Sequence, residues 1–143
     1  MRPFYVGLAA LVEKDEKFLV LKRSSDKDFA PNTWEPVTGR LERGENPEDG
    51  ILRELGEEIK IKAEVLMPVG TWFFHRGSEE HPMVSITFWC RYVEGEVKLS
   101  WEHSEYKWIT LSEAIDEPDL EYFRQCFQRI RKLKEHLPND FVF

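Results

Sequence analysis

The chain has 143 residues, with 20 Lys or Arg against 27 Asp or Glu, for a formal net charge of −7. At 41% hydrophobic and 13% aromatic residues it can bury a core as one domain spanning residues 1–143, which excludes a disordered chain. The negative balance excludes a surface that grips a nucleic acid polymer throughout, and a negative protein that works on anions needs local cations or bound metal to overcome its own field.

Residues Phe4–Val12 are almost continuously apolar, as in a strand buried on both faces. The apolar run Val6–Val12 is short, acids follow it at once and no small-residue cleavage site is present, so it does not read as a signal peptide. No stretch approaches the roughly 20 apolar residues of a membrane helix. Glu13–Lys17 reads as a charged turn, and Phe18–Leu21 as a second strand completing a hairpin. Arg23–Thr33, with Pro31 and Asn32, reads as a loop, and Trp34–Thr38 as a short strand ending at Gly39.

Asn46-Pro47 starts a helix: Asn accepts hydrogen bonds from free amides, Pro suits the first turn, and Glu48 and Asp49 face the positive end of the dipole. Ile51, Leu52, Leu55 and Ile59 make one stripe, so the helix should run to about Ile59. Val84–Tyr92 alternates with a strand period. Thr110-x-x-Glu113 is a capping box for a short helix, and Leu120, Phe123, Phe127, Ile130 and Leu133 mark a C-terminal amphipathic helix. Its Arg129–Lys134 basic run reads as a solvated face. Cys90 and Cys126 lack CxxC or Cys/His metal spacing and read as buried thiols of a reducing, cytoplasmic compartment. Strands and helices mixed in this order suggest a sheet with helices packed on it.

The informative stretch is Gly39–Ile61. On a helix Glu54, Glu57 and Glu58 share one face, and like charges at these spacings cost a few tenths of a kcal/mol per pair. Arg53, four residues before Glu57, offsets part of that. An acid cluster beside a glycine-bearing loop is what a hard divalent cation such as magnesium or manganese requires, since it takes oxygen ligands and shares its shell with water and phosphate. Gly39 and Gly44 have the spacing of a phosphate loop, but Glu45 stands where that loop carries Lys. Residues 40–60 hold seven acids against four bases, so part of the net negative charge is concentrated here.

Gly39, five residues, Glu45, seven residues, Arg53-Glu54-Leu55, one residue, Glu57-Glu58, two residues and Ile61 resembles the Nudix box. The one departure is Lys60, where the box has glycine. The resemblance implies an α+β Nudix fold, a mixed β-sheet sandwiched between α-helices, and a hydrolase of phosphoanhydrides. It implies Glu57 and Glu58 as main metal ligands, Glu54 as a further ligand or base, the Gly39 carbonyl as a contributor, and Arg53 with Glu45 as a brace. Glycine at the position of Lys60 would supply a left-handed C-cap, and a lysine there costs on the order of 1 kcal/mol. Arg40 is either a phosphate contact or a solvated loop arginine.

Trp34-Glu35-Pro36-Val37-Thr38-Gly39 is similar to the segment leading into the box in dihydroneopterin triphosphate pyrophosphatases, which also hydrolyse dATP. Glu102–Trp108 is similar to a segment of that group and of diadenosine tetraphosphate hydrolases. That likeness implies Glu102 as a late-loop acid for metal or water, with Glu105 second and His103 as a phosphate contact or a loop cap. Trp34 and Phe74 are candidates to stack on a base or pterin ring, or else core aromatics; Tyr106 and Trp108 read as packing residues. Arg23, at a strand end, is a candidate phosphate contact. His75, His81 and His136 show no ligand spacing. The expected reaction is magnesium-dependent cleavage of a nucleoside or pterin triphosphate, releasing pyrophosphate. A dinucleoside polyphosphate hydrolase and a non-cleaving nucleotide-binding module are the alternatives. Homodimers are common in the family, and no membrane partner is expected.

Overall fold

Asp15 and Glu16 both take positive φ, 50° and 64°, and this two-residue turn folds β1 (Tyr5–Lys14) back on β2 (Lys17–Arg23). In the computed structural model, which describes residues 3–77 and 80–138, these strands belong to a seven-stranded sheet. The other members are β3 (Trp34–Glu35), β4 (Val37–Arg40), β5 (Lys62–His75), β6 (Pro82–Glu94) and β7 (His103–Thr110). The order is β3-β2-β1-β6-β5, with β4 also paired to β1 and β7 to β2. β1 and β6 run parallel, from Tyr5 opposite Met83 to Glu13 opposite Arg91. The other strand pairs are antiparallel.

The near-continuous apolar run of β1 follows from burial on both faces. Leu8, Ala10 and Val12 join Leu19, Leu21, Phe88 and the α1 (Pro47–Ile59) residues Ile51, Leu55 and Ile59 in one core. Leu11, Phe18, Val20 and Trp89 join Ile115 of α2 (Leu111–Asp116) and Phe127 and Ile130 of α3 (Arg124–Glu135) in the other. The mixed sheet therefore lies between helices, the α+β arrangement expected. Among the described residues no helix is long and apolar enough to cross a membrane. Both cysteines are free and buried, and burial pushes the Cys90 thiol up to about 12.

Several expectations need correction. Glu13 is part of β1, not of the turn: it is fully buried and accepts hydrogen bonds from Trp89 Nε1 and Lys134 Nζ. Pro36 divides the expected Trp34–Thr38 strand into β3 and β4. β5 was not foreseen, because register shifts at 65–67 and 68–70 break its alternation. The segment after Glu102 is strand β7 rather than loop; Glu105 lies there in an ion pair with Lys22 at 3.3 Å, and Tyr106 is exposed rather than packed. Trp108 packs on the first core.

The C-terminal helix begins only at Arg124, after a 3-10 helix at Pro118–Phe123 that buries Leu120, and Leu133 is exposed. Its basic run is only partly solvated, since Arg129 Nη1 donates to the Val69 carbonyl and Lys134 reaches Glu13. Asn46 caps α1 by position, but its side chain makes no capping bond; its carbonyl accepts the Gly50 N–H. The Thr110–Glu113 capping box is present in full.

Candidate metal site on the acidic helix

The stripe Ile51, Leu55 and Ile59 fixes the rotation of α1 on the sheet, and that rotation turns Glu54 inward toward β4. Gly39 receives it. A Cβ at residue 39 would fall 2.2 Å from Glu54 Cδ and 2.6 Å from Oε2, so only glycine lets the carboxylate lie against this backbone. Glu57 is exposed and Glu58 half-buried on the same face of the helix.

Arg53 organises the acids. It donates to Glu45 through Nε at 3.1 Å and Nη2 at 2.7 Å, and through Nη1 to Glu54 at 2.9 Å and Glu57 at 3.1 Å. Its Nη2 also bonds the Arg40 carbonyl at 3.0 Å, which ties helix to loop. Glu45 accepts in addition the Glu42 N–H, and these bonds hold its carboxyl below the usual range. Lys60 ends the helix with φ 63° and ψ 32°, so the left-handed cap is kept without glycine, and Lys60 Nζ bonds the Glu57 carbonyl.

Glu102 approaches from the segment before β7. Ser24 N–H donates to its carbonyl at 2.9 Å, and Lys27 Nζ lies 3.3 Å from its Oε2. Burial pushes the Glu58 carboxyl above the ordinary carboxylate range; Glu102 and Glu54 push the same way, while His103 and Lys27 pull against them. Burial likewise raises Glu54, against the lowering effect of Arg53. The structure thus brings Glu54 and Glu58 of α1, Glu102 of the segment before β7 and His103 of β7 into one electrostatic neighbourhood.

The three carboxylates are hard oxygen donors, and burial holds two of them, Glu54 and Glu58, at raised proton affinity, which fits a divalent cation. Among the described residues no three such side chains converge at coordination distance. The reason is visible: Arg53 draws Glu54 and Glu57 to itself, and Lys27 draws Glu102.

Arg23 and His103 meet at Glu35, a residue the sequence did not single out. Arg23 Nη1 donates to Glu35 Oε1 at 2.9 Å and His103 Nε2 lies 3.1 Å from Oε2, all three largely buried. Arg23 Nη2 is buried with no partner among the described residues. Arg40 stacks over the Tyr5 ring at 5.1 Å.

Trp34 and Phe74 lie on the opposite sheet face from α1. The Trp34 N–H donates to Asp119, and Lys22 and Lys107 stand over its ring. Phe74 stacks on Trp72 at 4.8 Å, and Trp72 meets Tyr122. His75 contacts Phe73 edge-on, His81 stacks on Tyr5, and His136 follows α3. Lys27 and Trp101, beside Glu102, were also missed; their contacts join segments about which local periodicity carries no information.

Residues 1–129 match the model of the NUDIX domain. Over 115 residues the chain is 28% identical to nucleoside triphosphatase NudI of Escherichia coli, covering 73% of this chain and 81% of that protein. The crystal structure of a MutT protein from Methanosarcina mazei Go1 superposes with a TM-score of 0.80 at 29% identity, covering 94% of this chain and 97% of that one. A C. elegans Ap4A hydrolase binary complex shares the fold, with a TM-score of 0.72 at 21% identity over 93% of this chain and 98% of that one.

Proposed function

The chain belongs to the Nudix family and is a pyrophosphohydrolase of that family, and from that premise we propose that it cleaves a nucleoside triphosphate or a pterin triphosphate, such as dATP or dihydroneopterin triphosphate, with magnesium and with release of pyrophosphate. The observation that carries this reading is the seating of Glu54 against Gly39, with Glu57 and Glu58 on the same helix face and Glu102 opposite.

In this reading Glu57 and Glu58 hold the cation, with Glu54 and the Gly39 carbonyl completing the protein's oxygens. When bound, a divalent cation neutralises phosphate charge and lowers the pKa of water. Glu102 or Glu54 takes the proton of the attacking water at a carboxylate oxygen. Arg53, braced by Glu45, keeps the acids in place. Arg23 Nη2, Arg40 and His103 supply donors to phosphate oxygens, and Glu35 fixes the first and last of these. Phosphoryl transfer needs positioning and charge neutralisation rather than a protein nucleophile, in keeping with cysteine thiols raised by burial.

The test is a panel of dATP, dihydroneopterin triphosphate and diadenosine tetraphosphate with magnesium, scored for phosphate and pyrophosphate. Glu57→Gln is expected to lower turnover roughly tenfold or more while the circular dichroism spectrum is kept. Turnover at the parental level in that variant rejects the ligand assignment. Preferential cleavage of diadenosine tetraphosphate selects the dinucleoside reading, and no cleavage of any member selects a binding module.

A further inference from the structure

Trp101 exposes 69% of its surface, more than any other exposed large apolar residue among those described. It stands immediately before Glu102, so an indole left in water borders the acids of the candidate metal site. Lys27 explains how it is held. The Lys27 ammonium lies 5.2 Å from the centre of the Trp101 ring and 3.3 Å from Glu102 Oε2, and its side chain is only 14% exposed. A lysine is seldom buried to this degree without paired charge. Here it covers part of one indole face, holds the neighbouring carboxylate and so fixes the two relative to each other.

We propose that the remaining surface of Trp101 is the platform on which the planar ring of the substrate stacks, with Lys27 as the positioning residue that ties this platform to Glu102. The inference rests on the proposed function, because it takes the phosphates to lie at Glu58 and Glu102. A nucleoside or pterin triphosphate carries a flat ring at one end and a chain of anions at the other. Trp101 and the acid cluster offer an aromatic face and a cation-binding face side by side in the same order. The other two ring candidates are less free: Lys22 and Lys107 stand over Trp34, and Trp72 stacks on Phe74. Stacking tolerates different ring systems, since every base presents a π-face, so the platform would accept a purine or a pterin.

The test compares the full chain with Trp101→Ala and Trp101→Phe, binding dATP, dihydroneopterin triphosphate and inorganic tripolyphosphate by calorimetry with Ca2+ present. Trp101→Ala is expected to weaken the ring-bearing ligands about tenfold or more, while tripolyphosphate affinity stays within about twofold and Trp101→Phe recovers most of the loss. With magnesium, the same Ala variant is expected to raise KM and leave kcat nearly unchanged. The ligand that loses more identifies the ring the platform prefers. Parental affinity for both ring-bearing ligands in the Ala variant, with hydrolysis intact, overturns the platform alone. So does an equal loss of tripolyphosphate, which would mark Trp101 as merely shaping the loop. A parent chain that neither binds nor cleaves any of these phosphates overturns the proposed function, and the platform with it.

Discussion

The backbone of Gly39 and the carboxylate of Glu54 occupy space that no larger residue could share, since a Cβ at position 39 would fall 2.2 Å from Glu54 Cδ. Gly39→Ala therefore acts on Glu54, because the β4 backbone is held by pairing to β1 and the carboxylate is the part that can move. With Glu54 a ligand or base, its displacement by about an ångström should lower kcat on the order of 10- to 100-fold. Steady-state kinetics with magnesium and a thermal melt check this. A large loss of activity with a small change in Tm is expected, and unaltered kcat would remove Glu54 from the chemistry.

Arg53 supports three further carboxylates besides Glu54: Glu45, Glu57 and, at 3.4 Å, Glu42. Arg53→Gln leaves the half-buried Glu45 and the buried Glu54 without their cation. Hydrogen bonds to charged groups are worth roughly 1.5–3 kcal/mol, and partial exposure of this arginine puts the expected loss toward the lower end. Urea unfolding measures it. The like charges left on α1 should make the variant gain more stability from added magnesium than the parent does.

Glu54 and Glu58 set the pH dependence. Both are raised above the ordinary carboxylate range, chiefly by burial. A carboxylate raised in the folded state contributes stability that is complete below its unfolded value and lost as pH rises through the folded one. The metal-free protein should therefore gain from these two groups on mild acidification. A cation needs them ionised, so its affinity should rise with pH over that window and its binding should release protons. Calorimetry of magnesium binding in two buffers of different ionisation enthalpy detects the release; identical heats in both would mean the ligands are already ionised.

Glu54, Glu57 and Glu58 were legible because their relation is local: residues three and four apart on a helix face one another whatever the tertiary structure. The helix itself was legible from Pro47 and the Ile51–Ile59 stripe. β5 was not, since its three register shifts replace alternation by an irregular pattern. Glu35 was passed over because its value lies in Arg23 and His103 reaching it from two other strands. Lys27 and Glu102 are 75 positions apart, and no periodicity connects them. Glu13 reads as a turn residue because charge in sequence argues for solvent, and its distant partners, Trp89 of β6 and above all Lys134 of α3, reverse that.

That partner yields the last prediction. Glu13 is fully buried in β1, and burial raises its carboxyl against the opposing pull of Lys134 and Trp89. Lys134→Met removes a charge-assisted partner and leaves the carboxylate in the core between the sheet and α3. Breaking a buried pair by removing one member costs about 3–5 kcal/mol, and Lys134 being partly exposed places the expected loss near the lower figure. Because the Glu13 carboxyl would then be raised further, the deficit should be largest at neutral pH and shrink on acidification, as protonation supplies a neutral group. Adding Glu13→Gln to Lys134→Met should recover much of the stability at neutral pH, since an amide keeps the Trp89 hydrogen bond without a charge. Urea unfolding of the two single variants and the double variant, at neutral and acidic pH, measures the coupling. Additive losses that do not change with pH would show that Lys134 stabilises α3 only through its aliphatic stem.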